Sequence, residues 1–349
     1  MSTDVSLTKV VVHSAGAHDK LVLETGPALH AAAGEVVVDV RAIGINYADV
    51  IVRMGLYASA KELVGWPITP GFEVSGVVAE VGAGVTDLEV GNRVCAVTLF
   101  DGYATQVKVP RRQVFAIADD LPFEQAAALP AVFLTAWYAL KELANPRPGL
   151  TILVHSAAGG VGSSLVQLGK ALDLTVVGVV GGSHKVQTAR DMGCDHVIDK
   201  STEDLWARAE AFCPDGYDVI LDANGVATLS DSYGHLRRTG RLVVYGFSTM
   251  FTKGAAKPSY LKLAMGWLRT PRFNPLDMVN ASKSVLAFNL SYLFDREDIL
   301  SVGMGDVMDL LRAGKLKPPP VSTYPLADVA RAHADIESGN SVGKLVLIP

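Results

Sequence analysis

Residues 151–168 read TILVHSAAGGVGSSLVQL: a short apolar run, a cluster of small residues, then an apolar-periodic run. A strand that passes into a helix through glycines restricts the fold more than any other stretch of this chain. Few architectures feed a buried strand directly into a helix through so small a turn. Set against the pattern G-x-G-x-x-G, the turn presents Ala157, Gly159 and Gly162. Alanine serves where no positive φ is required. Gly159 lets backbone approach a pyrophosphate, and Gly162 lets helix and strand pack closely. The segment Ala158, Gly159, Gly160, Val161 and Gly162 would meet phosphates at the helix N-terminus, where amides lack partners and the dipole is positive. The same turn can also join strand to helix with no ligand; the alternation that follows it favours the site.

That alternation is regular. After the glycine turn come LTVVGVV, DHVID, DVILDAN and RLVVYG, each separated by a helical pattern. Strands alternating with helices predict an α/β layer with a doubly wound parallel sheet, the Rossmann arrangement. Upstream of about residue 121 the rhythm differs. EVVVDVRAIGI (35–45), EVSGVVAEVG (73–82) and NRVCAV (92–97) are short β-branched runs punctuated by PITPG (67–71) and GAGV (82–85). Many short strands with turn signals predict a compact β-barrel-like domain. A chain of 349 residues is long enough for two such domains. The expected division is 1–121 with 293–349 for the barrel, the final SVGKLVLIP adding a strand to it, and 122–292 for the Rossmann domain. Within the latter, 250–284 reads as an insertion, and VLAFNLSYL (285–293) as a strand.

Composition excludes several classes. The net charge is -5 with no long block of like charge, which argues against a nucleic-acid partner. No uninterrupted apolar run reaches the ~18 residues of a spanning helix, so no membrane partner is expected. The surplus of apolar residues fits buried parallel strands. MSTDVSLTKVVVH lacks a basic-then-apolar leader, and a cytoplasmic location is expected. Cys95, Cys194 and Cys213 are scattered, with neither metal-ligand spacing nor a disulfide framework, and are read as structural thiols.

The end of the second Rossmann strand selects the dinucleotide. An NAD site places an acid there to bond the ribose 2′-hydroxyl. Here the stretch is VVGVVGGSHK, Val176 to Lys185, and carries none. Gly181 and Gly182 leave room, and Ser183 and Lys185 can meet a 2′-phosphate; a solvated Lys185 at a helix start is the plainer alternative. NADPH is the expected cofactor. Tyr245, Gly246 and Phe247 follow a parallel strand, where ligands of open α/β sheets bind.

Taken together, AIGINYADVIVRMGLY (42–57), PGFEVSGVV (70–78), LPAVFLTAWYAL (129–140), AAGGVG (157–162), GRLVVYG (240–246) and SVGKLVL (341–347) resemble the zinc-independent medium-chain dehydrogenase/reductases. The likeness is strongest to the quinone oxidoreductase and enoyl reductase branch, which includes the vesicle amine transport protein 1-like members. It implies a GroES-like β-barrel domain beside the Rossmann domain, with the cofactor between them. Zinc-dependent relatives carry a cysteine where this chain has Asn46 and a histidine where it has Phe72, so no catalytic metal is expected. Asn92 and Lys200 also depart from the family, Lys200 standing where many relatives have a tyrosine near the adenosine phosphate.

The resemblance further implies roles. Tyr57 matches a tyrosine implicated as proton donor in thioester-reducing relatives, or else packs against the nicotinamide. Asn46 would orient nicotinamide or substrate, or only turn the chain. Thr135 would lie at the nicotinamide end, and Phe288, Asn289 and Leu290 would offer backbone to the carboxamide. Lys200 would supply charge to the adenosine phosphate. Lys344 would reach a cofactor phosphate or cap the last strand in solvent. Asp49 and Arg53, four apart, read as a local ion pair.

Without a metal, hydride is best delivered to a C=C bond already activated by a carbonyl. The expected substrate is a small molecule: an enone or an α,β-unsaturated acyl thioester such as an enoyl-coenzyme A. A quinone reductase and a non-catalytic trafficking protein that keeps the fold are the alternatives. In the insertion, Phe251, Tyr260, Trp267 and Phe273 would wall an apolar pocket or pack as a surface helix. Lys253, Lys257, Lys262, Arg269 and Arg272 would hold a phosphorylated carrier or form a solvated face. The resemblance also implies a homodimer, since VLAFNLSYL matches the strand by which relatives pair across a two-fold axis.

Overall fold

The structure, a computed structural model, describes residues 7–251 and 257–349. Its first half is a rolled sheet built on one long strand. Antiparallel β1 (Leu7–Val11) and β2 (Val22–Gly26) lead into β3 (Glu35–Ile45), whose valines and isoleucines are buried. β3 pairs antiparallel with β4 (Glu73–Val81) and β6 (Gln106–Pro110), and β4 pairs with β5 (Arg93–Val97), which carries β7 (Val114–Ala116). Val36, Val38, Val74, Val94, Tyr103 and Val107 close one core inside this sheet.

The second half is the expected doubly wound layer. β8 (Thr151–His155), β9 (Thr175–Val180), β10 (His196–Asp199), β11 (Tyr217–Asp222), β12 (Leu236–Val244) and β13 (Ser284–Ala287) form a parallel sheet in the order β10-β9-β8-β11-β12-β13. The strand order reverses between β8 and β11, which is where open sheets of this kind take their ligands. β8 runs into the helix Gly160–Ala171 through Ser156–Gly159. The turn needs its glycines for space: a Cβ on Gly162 would stand 2.0 Å from the Ser156 carbonyl oxygen.

The chain returns to the first sheet through β14 (Val321–Pro325) and β15 (Lys344–Ile348), and β15 pairs antiparallel with β3 as SVGKLVLIP suggested. The return is later than residue 293. The helix Glu297–Arg312 packs on the helix Pro130–Trp137, with Gly303 against the Trp137 ring and Trp137 Nε1 donating to Asp306 at 2.9 Å. Leu300, Met304 and Val307 thus join the core built around the helix Gly160–Ala171. VLAFNLSYL is a strand only as far as Ala287. Asn289 then accepts the Ser291 N–H at 3.0 Å and turns Leu290–Leu293 into a 3-10 turn.

In the insertion, the helix Tyr260–Arg269 rests on its polar side. Lys262 Nζ donates to the Phe251 carbonyl at 2.6 Å, and Gly266 faces Met250. Its apolar side is turned outward, leaving Tyr260 72% and Trp267 66% exposed, so neither walls a pocket. Phe273 packs on Tyr233 at 5.1 Å, and Phe251 edges Tyr47 at 6.1 Å. Lys257, Arg269 and Arg272 lie at the surface, and Lys253 lies outside the described residues. Cys95 and Cys194 are buried, and Cys213 Sγ donates to the Gly216 carbonyl, in keeping with structural thiols.

Replacing Gly162 with alanine forces backbone against Cβ, and overpacking of this kind costs about 1–3 kcal/mol. Gly162→Ala is expected to lower the thermal midpoint measurably; a midpoint equal to that of the unaltered protein would contradict this close approach.

Candidate active site

The two sheets meet along a seam that begins at the glycine turn. Gly343 N donates to the Ala158 carbonyl at 3.1 Å, and Gly159 bridges Gly343. The next residue, Lys344, is only 3% exposed. Its ammonium lies 2.5 Å from Glu73 Oε1 and 2.5 Å from Asn46 Oδ1. Asn46 Nδ2 donates to Glu73 Oε1 at 2.9 Å, while Glu73 Oε2 accepts the Ala131 N–H at 2.8 Å. Glu73 therefore sits at the N-terminus of the helix Pro130–Trp137, where the helix dipole favours an anion. This corrects the reading of Lys344 as an exposed cap; in this structure a buried carboxylate pairs with its charge. Asn46 is likewise held at both ends of its amide.

Tyr57 reaches the seam from the start of the short helix Ala58–Leu63. Its ring lies edge-on to Phe72 at 5.7 Å and to Phe100 at 6.4 Å. Its hydroxyl donates to Asn289 Oδ1 at 2.8 Å and lies 3.0 Å from Ser291 Oγ. Burial pushes this phenol above its ordinary value, while the bond to Ser291 works in the opposite direction. Phe288 N donates to the Val244 carbonyl and its ring packs on Tyr138 at 4.9 Å, with Tyr245 further along at 6.4 Å. The sequence suggested the backbone of Phe288, Asn289 and Leu290 as functional; the structure adds the Asn289 side chain.

Asp49 and Arg53 do not pair with one another, contrary to the expected local pair. Arg53 Nη2 donates to Glu337 Oε1 at 2.8 Å. Asp49 accepts from Asn46 N, Gly71 N and the Tyr103 hydroxyl, which also lies 3.1 Å from His333 Nε2. Burial pushes the Asp49 carboxyl up to about 7 and His333 well below its usual value. The spacing of four would suit an exposed helix; here both side chains point into the barrel core, toward longer-range partners.

At the glycine turn, the first helical amides of Gly160, Val161 and Gly162 have no acceptor within their own helix. A Cβ on Gly160 would stand 3.0 Å from Val132 and 3.6 Å from Lys344, so the absence of side chains keeps this cradle open. Thr135 lies in the helix Pro130–Trp137, and its hydroxyl bonds back to the Ala131 carbonyl. Beyond the end of β9, Gly182 precedes the 3-10 turn Ser183–Lys185. Ser183 Oγ donates to Asp199 Oδ2 at 2.5 Å, and Lys185 Nζ donates to the Gly339 carbonyl at 2.7 Å. Lys200 flanks Gly181. β9 indeed ends without an acid, but β10 brings Asp199 beside Ser183. Hydroxyls of Ser183 and Ser201 hold that carboxyl below its ordinary range. Gly246 lies on Ala223, and Phe247 covers Gly225.

Three contributors escaped the sequence reading. Glu73, in PGFE, is a charge inside a β-branched run, and that placement was the available signal. Ser291 had none, because only its fold brings it to Tyr57. Asp222, ending β11, accepts from Asn224 N, Gly225 N, Thr228 and Ser232, and so fixes the loop facing the glycine turn. His155 Nε2 bonds Ser232 beneath that loop, and burial lowers its imidazole to about 4. A cavity of about 520 Å³, lined by Arg111, Phe115, Met308 and Arg312 among others, shares no residue with this seam.

The model of the alcohol dehydrogenase GroES-like domain matches residues 32–119, and that of the zinc-binding dehydrogenases matches 192–347. The human synaptic vesicle membrane protein VAT-1 homolog is 34% identical over 343 residues, 97% of this chain and 86% of that protein. The chain belongs to the medium-chain dehydrogenase/reductases, in their quinone oxidoreductase and VAT-1-like branch. A 2-haloacrylate reductase of a Burkholderia species is 31% identical over 97% of this chain and 98% of its own length. The Escherichia coli quinone oxidoreductase, solved in complex with NADPH, superposes with a TM-score of 0.83 at 28% identity, covering 98% of this chain and all of that one.

The medium-chain family includes zinc enzymes, and the donor set here does not fit zinc. Asn46 and Phe72 occupy two ligand positions, the first spent on Glu73 and Lys344 and the second an apolar ring against Tyr57. Among the described residues no cluster of three or more His, Cys, Asp or Glu is placed to hold a metal ion. No described helix is long and apolar enough to cross a membrane.

Removing one partner of a buried ion pair leaves the other uncompensated and costs about 3–5 kcal/mol. Lys344→Met is expected to show that loss in urea unfolding, and Lys344→Met combined with Glu73→Leu to recover much of it. A single variant within about 1 kcal/mol of the parent would mean that Glu73 is solvated.

Proposed function

We propose that this chain is an NADPH-dependent reductase that adds hydride to a C=C bond activated by a carbonyl, as in an enone or an α,β-unsaturated acyl thioester. The carrying observation is the Tyr57 hydroxyl, a neutral proton-bearing group beside Phe288–Ser291 at the seam where zinc relatives would use metal. The coarser reading, an NADPH oxidoreductase, is supported by the NADPH-bound quinone oxidoreductase neighbour and by the glycine turn with its unpaired helix amides. The haloacrylate reductase relative supports an activated alkene as acceptor.

NADPH would supply the hydride. Gly159, Gly160, Val161 and Gly162 would receive its pyrophosphate; Ala158 would line the same turn. Ser183, Lys185, Lys200 and Gly182 would surround the adenosine end. Thr135, Tyr245, Gly246 and Phe247 would flank the nicotinamide side. As the acceptor's β-carbon takes the hydride, charge grows on its carbonyl oxygen and the α-carbon needs a proton. Tyr57 would supply it. Asn46, clamped by Glu73 and Lys344, would orient the reacting partners rather than exchange protons.

Quinone reduction is the second reading, favoured by the neighbour of that name. The two separate in one assay: NADPH oxidation against a quinone, a simple enone and short enoyl-coenzyme A thioesters, with Tyr57→Phe alongside. Alkene turnover lost by about a hundredfold or more in Tyr57→Phe is expected, the usual scale for a lost general acid. Quinone-only turnover that survives the substitution would replace this reading with the second.

The pairing of two copies is also proposed. β13 is the edge of its sheet, and the helix before it, Pro275–Ala281, exposes Leu276 and Val279. An open strand edge beside apolar side chains suits an isologous partner. Light scattering is expected to give twice the chain mass; a single-chain mass would refute the dimer.

A further inference from the structure

The hydrogen bonds around Tyr57 carry more than its location. Asn289 Oδ1 accepts the Ser291 N–H at 3.0 Å, which assigns the amide oxygen, not the nitrogen, to the side facing Tyr57. An amide oxygen only accepts, so the Tyr57 hydroxyl must be the donor in its 2.8 Å contact with Asn289. The phenol proton is thereby spent, and the 3.0 Å contact with Ser291 Oγ is satisfied with Ser291 donating to the phenol oxygen. Ser291 is 2% exposed, so water does not compete freely for that hydroxyl. The two segments are held a second time by Tyr292, whose hydroxyl donates to Glu62 at 2.8 Å.

We propose that Asn289 and Ser291 are positioning residues for Tyr57, which together keep its hydroxyl a neutral proton donor with a fixed oxygen. The inference rests on the alkene-reductase reading above. In the resting site the phenol O–H points at Asn289 Oδ1. For transfer, the O–H turns from the amide oxygen to the substrate α-carbon; the O–H bond breaks and a C–H bond forms. The electron pair left behind makes a phenolate, which regains its proton from water after product leaves. Ser291 keeps its hydrogen bond throughout and stabilises the phenolate. Asn289 Oδ1 has no proton to offer the phenolate, and so favours the phenol before transfer and again after it. The two side chains thus act on opposite sides of one proton transfer.

The test is a double-mutant cycle in the full-length protein with NADPH and whichever activated alkene it turns over. Variants are Tyr57→Phe, Ser291→Ala, Ser291→Thr, Asn289→Ala and the double Tyr57→Phe/Ser291→Ala. Ser291→Ala is expected to lower kcat about tenfold, the scale of one hydrogen bond to a charged group. KM and the thermal shift on adding NADPH should stay within about twofold of the parent, since the lost interaction forms in the transition state. Ser291→Thr should restore kcat, and Asn289→Ala should enlarge the solvent deuterium effect on kcat by exposing the proton transfer. In the Tyr57→Phe background Ser291→Ala should cost nothing further. An equal loss in that background would make Ser291 a structural staple and overturn the proposal. Loss in Tyr57→Phe with full activity in Ser291→Ala and Asn289→Ala would overturn this inference and leave the donor reading standing. Full alkene turnover in Tyr57→Phe would overturn both.

Discussion

A lysine from the last strand, buried against a glutamate from β4, is the constraint on which the seam depends. Neither charge has water to fall back on: the Lys344 side chain is 3% exposed and that of Glu73 not at all. Taking such ions out of solvent costs several kcal/mol each, and only a nearly complete set of partners offsets it. The fold provides that set from four separate stretches. Asn46 comes from the end of β3, Ala131 from a helix start, Lys344 from the chain's end, and Glu73 joins them. Each of these elements therefore helps to offset the cost of burying the two charges. Pairing of β15 with β3 is what places Lys344 at the seam.

The same arrangement explains why part of the site was legible in the sequence and part was not. The glycine turn could be read because its demands are local: a Cβ at Gly162 collides with a backbone only six residues away. The alternation of strands and helices gave the parallel layer for the same reason. Lys344 and Asn46 are 298 positions apart, and no periodicity records that they touch. Asp199 was invisible as a neighbour of Ser183 because it belongs to the adjacent strand, a matter of sheet order. Ser291 looked like part of a strand. It leaves the strand because Asn289 offers its own side chain to the backbone, the usual way a short polar residue ends regular structure.

The outward apolar side of the helix Tyr260–Arg269 shows the limit from another direction. Helical spacing of Tyr260, Leu261, Ala264 and Leu268 gives a clean apolar stripe, and such stripes ordinarily face the core. Here the opposite side is the one that packs, because Lys262 and Gly266 meet Phe251 and Met250. Periodicity establishes that a helix has two unlike sides; it does not say which of them the rest of the chain covers.

Burial also decides what Tyr57 can be. In water a phenol ionises near 10 and is a poor acid at neutral pH, yet a nearby cation would draw its proton off and make it a base. The structure surrounds it instead with Phe72, Phe100, an amide and a hydroxyl. Glu73 meanwhile pairs with Lys344, which lies beside Gly160, and Ala131 helps to hold that carboxylate. Burial at Tyr57 favours the protonated phenol, and the charge of Asp49 works in the same direction, while Asn289 and Ser291 are the groups that touch its hydroxyl.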